Sequence, residues 1–194
     1  MRVLGVICLL AGLIVLGIAI AGCGEDGQAA QATAAPAWAV SPKTFTSAKF
    51  LWSVTYDRSQ VRPQSDKFDS SSEFITVDFV GRKPSKKFVQ RSGLRVFAQK
   101  MYSPRQAILS KAETMDRMSV EMRWVKVTGY EPATLNGLQG TRTTFTWDGG
   151  HGVRYTLHKG LYFYELTQEL RDDEQQTLGA ALDDALNSFT VKAE

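Results

Sequence analysis

Leu161-Tyr-Phe-Tyr-Glu-Leu-Thr-Gln168 is apolar on both of its alternating faces over most of its length. A strand of that kind needs cover on both sides of its sheet. Upstream, Val153, Tyr155 and Leu157 alternate with polar residues, and Lys159-Gly160 turns that segment into the quoted one. Before it, Thr141 to Trp147 alternates after the strong turn signal Asn136-Gly137. The spacing therefore predicts a meander that ends in a doubly covered strand. Phe50 to Tyr56, Phe74 to Val80, Leu94 to Met101 and Trp124 to Thr128 read as further strands. Asp148 to Gly152 reads as a loop.

Two helices are placed to cover the sheet. Ser103-Pro104-Arg105-Gln106 has the form of a capping box with proline at the first helical position, followed by Ile108, Ala112, Met115 and Met122 on one stripe. Near the C-terminus Asp173 and Glu174 open a second helix. Its stripe, Leu178, Ala181, Leu182, Ala185, Leu186 and Phe189, keeps a 3.6-residue period. The fold class expected is α+β, an antiparallel sheet sandwiched by helices.

The whole chain has 194 residues, 43% of them hydrophobic and 22% charged, which excludes collagen, a coiled coil and a wholly disordered chain. Much of the apolar content lies in residues 1–22. Met1-Arg2, the apolar run Val3 to Ala21 and small residues at its end have the form of a secretory leader. Ile20-Ala21-Gly22-Cys23 resembles the bacterial lipobox. The Cys23 thiol is the group that must take a diacylglyceryl chain, and its small neighbours let a peptidase reach the preceding bond. The competing reading is an uncleaved anchor, because about 20 apolar residues span a bilayer. The cysteine falling where the run ends favours the lipoprotein. Residues 1–22 are thus expected to be a lipoprotein signal peptide and 23–44 a lipidated cysteine (with acyl chains of palmitate type) on a flexible tether. The folded domain is expected over 45–194. Cys8 reads as a small apolar residue of the leader, and no cysteine follows Cys23, so no disulfide is expected.

The segments Phe50-Leu-Trp-Ser-Val-Thr-Tyr56, Ala133-Thr-Leu-Asn-Gly-Leu-Gln-Gly140 with Thr143-Thr-Phe-Thr146, and Leu186-Asn-Ser-Phe-Thr-Val191 resemble the PsbP-like family of small exported bacterial lipoproteins. The resemblance covers most of the chain beyond the leader. It implies a non-catalytic α/β/α sandwich, found in assembly or stability factors of membrane complexes and in surface lipoproteins of unassigned role. No family metal site can be carried over, because no matching ligand cluster is visible.

Enzyme signatures are absent from the sequence: no Walker loop, dinucleotide fingerprint, zincin helix or nucleophile elbow occurs. His151 and His158 stand seven residues apart and point to opposite faces if they share a strand. Asp148 offers one carboxylate where calcium takes 6–8 oxygens. No catalytic residue, metal or cofactor is therefore assigned. The net charge of +3, or +2 without Arg2, argues against nucleic acid as a partner.

Charge is segregated along the chain. No acid lies between Asp78 and Glu113, where nine basic residues occur, while Glu165 to Asp184 holds seven acids against Arg171. Arg82, Lys83, Lys86 and Lys87 form a candidate basic surface toward anionic lipid, a cell-wall polymer or an acidic partner. Two ordinary solvated surfaces, pairing across the fold, are the competing account. The function expected is a lipid-anchored, exported, non-enzymatic binding or accessory module of the cell envelope, on the outer or periplasm-facing side of the membrane, with a protein or envelope partner. The alternative is an exported enzyme or small-ligand carrier. A deep pocket lined by converging polar groups favours the alternative, and a filled interior favours the binding module.

Overall fold

The structure, a computed structural model, describes residues 41–64, 73–82, 92–102 and 110–192. The strands are β1 (Pro42–Ser47), β2 (Trp52–Asp57), β3 (Val61–Gln64), β4 (Phe74–Gly81), β5 (Gly93–Lys100), β6 (Lys126–Leu135), β7 (Leu138–Trp147), β8 (Gly150–Lys159), β9 (Tyr162–Arg171) and β10 (Thr190–Val191). The helices are α1 (Lys111–Glu121) and α2 (Gln175–Asn187), the latter entered through a short 3-10 turn at Asp172–Glu174. Seven strands form one sheet in the order β3-β4-β5-β9-β8-β7-β6, with every neighbouring pair antiparallel. A smaller sheet has the order β1-β2-β10.

The quoted segment becomes β9, the central strand, and Phe163 to Gln168 are buried without interruption. Its two faces differ. Tyr164, Leu166 and Leu170 point into the main core with Trp52 and Val54 of β2 and with Leu178, Ala181, Leu182, Ala185 and Leu186 of α2. Burying side chains of that size stabilises by roughly 1.5–3 kcal/mol each. The Tyr164 hydroxyl donates to the Phe50 carbonyl at 3.0 Å, which satisfies the one polar atom that ring brings inside. The opposite face carries Glu165, Thr167 and Glu169 and receives side chains from α1. One face of β9 is packed against α2 and the small sheet, and the other is polar and meets α1 through the Arg117–Glu165 contact.

α1 begins later than the sequence suggests. Ser110 is its N-cap, and the Glu113 amide and side chain complete a capping box with it. The buried stripe is Thr114, Met118 and Met122, packed with Phe145. Ala112 and Met115 are exposed, which corrects the expected stripe: a helix capped at Ser110 turns residues 114, 118 and 122 inward. Ser103 to Gln106 and Ile108 lie outside the described residues. The expected loop at Asp148–Gly152 is shorter too. Gly149, at φ 84°, closes the turn, and β8 already starts at Gly150, where a Cβ would strike the Trp147 ring. His151 is therefore a strand residue. Asn136 and Gly137, at φ 49° and 81°, make the expected tight hairpin. β1 takes in Pro42, Lys43 and Thr44, residues read above as tether.

A polar cleft between the sheet and the first helix

Cross-strand register assembles the charged face. Asp78 pairs with Arg95, Arg95 with Thr167, Thr167 with Arg154, and Arg154 with Thr143, one residue from each of five adjacent strands. One level along, Phe97, Glu165 and Thr156 stand side by side; one level the other way, Gly93, Glu169 and Gly152 do. Side chains two apart on a strand share a face, so these rows line one surface.

α1 closes over that surface from its last turns. The Arg154 guanidinium is buried and donates to Thr167 Oγ1 at 3.1 Å, to Glu121 Oε2 at 3.1 Å and to Met122 Sδ at 3.0 Å. Glu165, also buried, lies 3.6 Å from Arg154 and 3.8 Å from Arg117. Arg117 also holds Glu121 at 2.6 Å, one turn along the helix. Burial opposes ionisation of Glu121, but hydrogen bonds and charge from Arg117 and Arg154 outweigh it and hold the carboxyl below its usual range. Burial pushes the Glu169 carboxyl upward, only partly offset by Arg95 and Arg154. Arg95 forks onto Asp78 at 2.8 and 3.3 Å. Beside this network an open cleft of about 700 Å³ runs along the sheet, lined by Arg95, Arg117, Arg154, Glu165, Glu169 and Trp124 among others.

The arrangement suits binding and orientation. Its buried charges are fixed by one another, so a ligand meets preset groups and not side chains that must first be ordered. Among the described residues no three of His, Cys, Asp and Glu converge as a metal-holding group. His151 lies 3.4 Å from Asp172 on the exposed surface, and His158 is seven residues further along the same strand with its Nδ1 buried and without a hydrogen-bond partner. The two do not meet.

Of the residues singled out in the sequence, Ile20, Ala21, Gly22, Cys23, Lys83, Lys86 and Lys87 lie outside the described residues. Arg82 is described: it is exposed at the end of β4, its amide donating to the Gln60 carbonyl at 2.8 Å. No described helix is long and apolar enough to cross a membrane. Sequence reasoning passed over Arg154 and treated Glu165 and Glu169 only as part of an acidic segment. A signal was present. Counting outward from the Lys159-Gly160 turn places Arg154 opposite Thr167 and beside Glu165 and Glu169.

Seven antiparallel strands with β9 at the centre, a second small sheet and a closing helix can be set against solved structures. The solution structure of cyanobacterial PsbP (CyanoP) from Synechocystis sp. PCC 6803 aligns over 78% of this chain and 93% of its own, with a TM-score of 0.52 and 13% identity. The fold is PsbP-like. At that identity the likeness to PsbP is one of architecture alone. A crystal structure from Bacteroides thetaiotaomicron VPI-5482 aligns over 78% of this chain but 49% of that one, with a TM-score of 0.40 and 13% identity. No family model and no curated protein matches the chain.

Proposed function

We propose that this PsbP-like protein is a lipid-anchored, exported, non-enzymatic binding module of the cell envelope, and that its recognition surface is the polar cleft under α1. On this reading the helices are the outer layers of an α/β/α sandwich, and Cys23 carries the lipid that holds the domain at the membrane. The observation that supports the cleft is the buried Arg154, held by Glu121, Thr167 and Met122 at the floor of about 700 Å³ of open space. Burying that guanidinium costs desolvation, which Glu121 and Thr167 offset while fixing it in one geometry toward the open space. The exported enzyme or small-ligand carrier is the second reading, and the polar groups converging on the cleft favour it, while the filled core between the sheet and α2 favours the binding module.

Crosslinking and capture of the full-length protein from its native membrane separates these readings. A partner lost on Arg117→Ala, which alters the rim of the cleft, supports the binding module. A co-purifying small molecule with no protein partner supports the carrier. For the anchor, Cys23→Ala is expected to leave an unprocessed precursor. Mass spectrometry finding a mature N-terminus elsewhere, without lipid on Cys23, overturns that part.

A further inference from the structure

The charges of the cleft do not balance. Its described lining holds four acids, Asp78, Glu121, Glu165 and Glu169, against three guanidiniums, Arg95, Arg117 and Arg154. Each guanidinium has its carboxylate: Arg95 takes Asp78 at 2.8 Å, Arg117 takes Glu121 at 2.6 Å, and Arg154 lies 3.1 Å from Glu121 and 3.6 Å from Glu165. Glu169 is the surplus acid. Among the described residues it has neither hydrogen bond nor ion pair, and Arg95 and Arg154 reach it only through their fields.

Register explains its isolation. Glu169 pairs with Gly93 on one side and Gly152 on the other, so neither neighbouring strand offers a side chain at its level. The glycines are obligatory for close packing: a Cβ on Gly93 would meet the Phe79 carbonyl at 2.8 Å, and one on Gly152 would meet the Phe145 ring at 2.4 Å. A partly buried carboxylate without a counter-ion is an unfavourable arrangement that a cationic ligand relieves. The same cleft is lined by Trp124, 40% exposed, whose ring is held edge-on against Trp147 at 5.2 Å. A carboxylate and an indole in one cleft supply the two attractions an ammonium group uses, a charge-assisted hydrogen bond and a cation–π contact.

We propose that the cleft binds an organic ammonium ion, Glu169 taking the charged nitrogen by a charge-assisted hydrogen bond and Trp124 meeting the cation through its ring face. This rests on the cleft being the recognition surface. The ligand is an amine and not a divalent metal, because only Glu169 among the acids is uncommitted and no three metal-ligating side chains converge among the described residues.

The test is calorimetric titration of the full-length protein with 1,5-diaminopentane at neutral pH, with sodium chloride of matched ionic strength and sodium acetate as controls. The diamine is expected to bind and the controls not to. Glu169→Gln should weaken it about tenfold or more, the loss of one charge-assisted contact. Glu169→Gln should also keep or raise the melting temperature, since it removes an ionised group that burial disfavours, so lost binding is not lost folding. A carbon-13 titration of the Glu169 carboxyl should move toward the ordinary glutamate range when the diamine is present. Equal affinity in Glu169→Gln, or no heat from the diamine, overturns the proposal. Acetate binding that Arg117→Ala removes would also overturn it, yet leave the cleft standing as the recognition surface.

Discussion

Arg154 places a guanidinium that is 7% exposed beneath α1, within reach of Glu121, Glu165 and Thr167. Arg154→Met keeps the stem and removes the charge, leaving buried Glu165 with Arg117 alone at 3.8 Å. Leaving a buried charge uncompensated costs about 3–5 kcal/mol, and with Arg117 still near Glu165 denaturant unfolding should show a loss at or below the lower end of that range. Adding Glu165→Gln should return much of it, because the two residues are coupled and the stranded charge is gone. No recovery in the double variant would mean that Arg154 acts chiefly through Met122 and Thr167. The two perturbed acids of the cleft behave oppositely with pH. Glu121 is held below its ordinary 4.5, so its stabilising contribution is complete above about pH 4.5 and disappears as pH falls through the lowered value. Glu169 is raised above 4.5, so its favourable contribution belongs to lower pH and is lost as pH rises through the raised value. Unfolding followed from acid to neutral pH should therefore show a shallower acid limb in Glu121→Gln and a gain confined to neutral pH in Glu169→Gln. Identical profiles in both variants would remove this account.

Elements whose order comes from local alternation were legible, and those ordered by distant partners were not. β7 to β9 are marked by alternating residues and by the turns at Asn136-Gly137 and Lys159-Gly160, and α2 by a stripe whose last member, Phe189, lies past the helix end. β6, expected over Trp124 to Thr128, instead runs over Lys126–Leu135. β1 is PKTFTS, mostly exposed, β3 holds Pro63, and β10 has two residues. β1 and β3 are weakly patterned strands that pair with their chain neighbours β2 and β4, whereas β10 exists because a strand far away in sequence pairs with it, as Thr190 does with Ser53. The cleft was illegible for the same reason: Asp78, Arg95, Thr167 and Arg154 become neighbours only through a register that spans four strands. Asn136 joins both kinds of information. Its backbone makes the hairpin, which the sequence announces. Its side chain donates at 2.7 Å to the carbonyls of Asn187 and Phe189, at and beyond the C-terminal end of α2, which no local pattern announces. The Asn187 carbonyl is one that a helix end leaves unsatisfied. Asn136→Gly keeps the left-handed turn and removes both hydrogen bonds, so it should cost about 1–3 kcal/mol in thermal or denaturant unfolding. A cost within about 0.5 kcal/mol would mean that water replaces the side chain there.

Across the whole molecule, the described ion pairs join the segregated charges to nearby partners, and Arg95 of the basic run reaches Glu165 and Glu169 through its field alone. Arg95 pairs with Asp78 on the neighbouring strand, Arg171 with Asp173 two residues on, and Asp183 is taken by Gln168. The acidic segment therefore meets partners of its own, and no described ion pair joins it to the run that begins at exposed Arg82. Arg82, Lys83, Lys86 and Lys87 carry four positive charges within six positions, where their fields add before salt screens them. Each basic side chain near an anionic bilayer contributes about 1 kcal/mol, and a lipid on Cys23 would hold the domain within reach of that surface. β1 begins at Pro42, so a chain starting at Ala35 retains every described strand while lacking Cys23. That chain should bind vesicles containing anionic lipid weakly and zwitterionic vesicles much less. Neutralising all four basic residues should abolish the preference, as should raising the salt on the unchanged chain. The melting temperature of the quadruple variant separates the two accounts of the run. Unchanged melting with lost binding assigns the residues to the lipid surface. Vesicle binding that is insensitive to salt, or equal for both lipid compositions, makes the run a solvated face. A collapse of the fold would mean that these residues are paired within the protein after all.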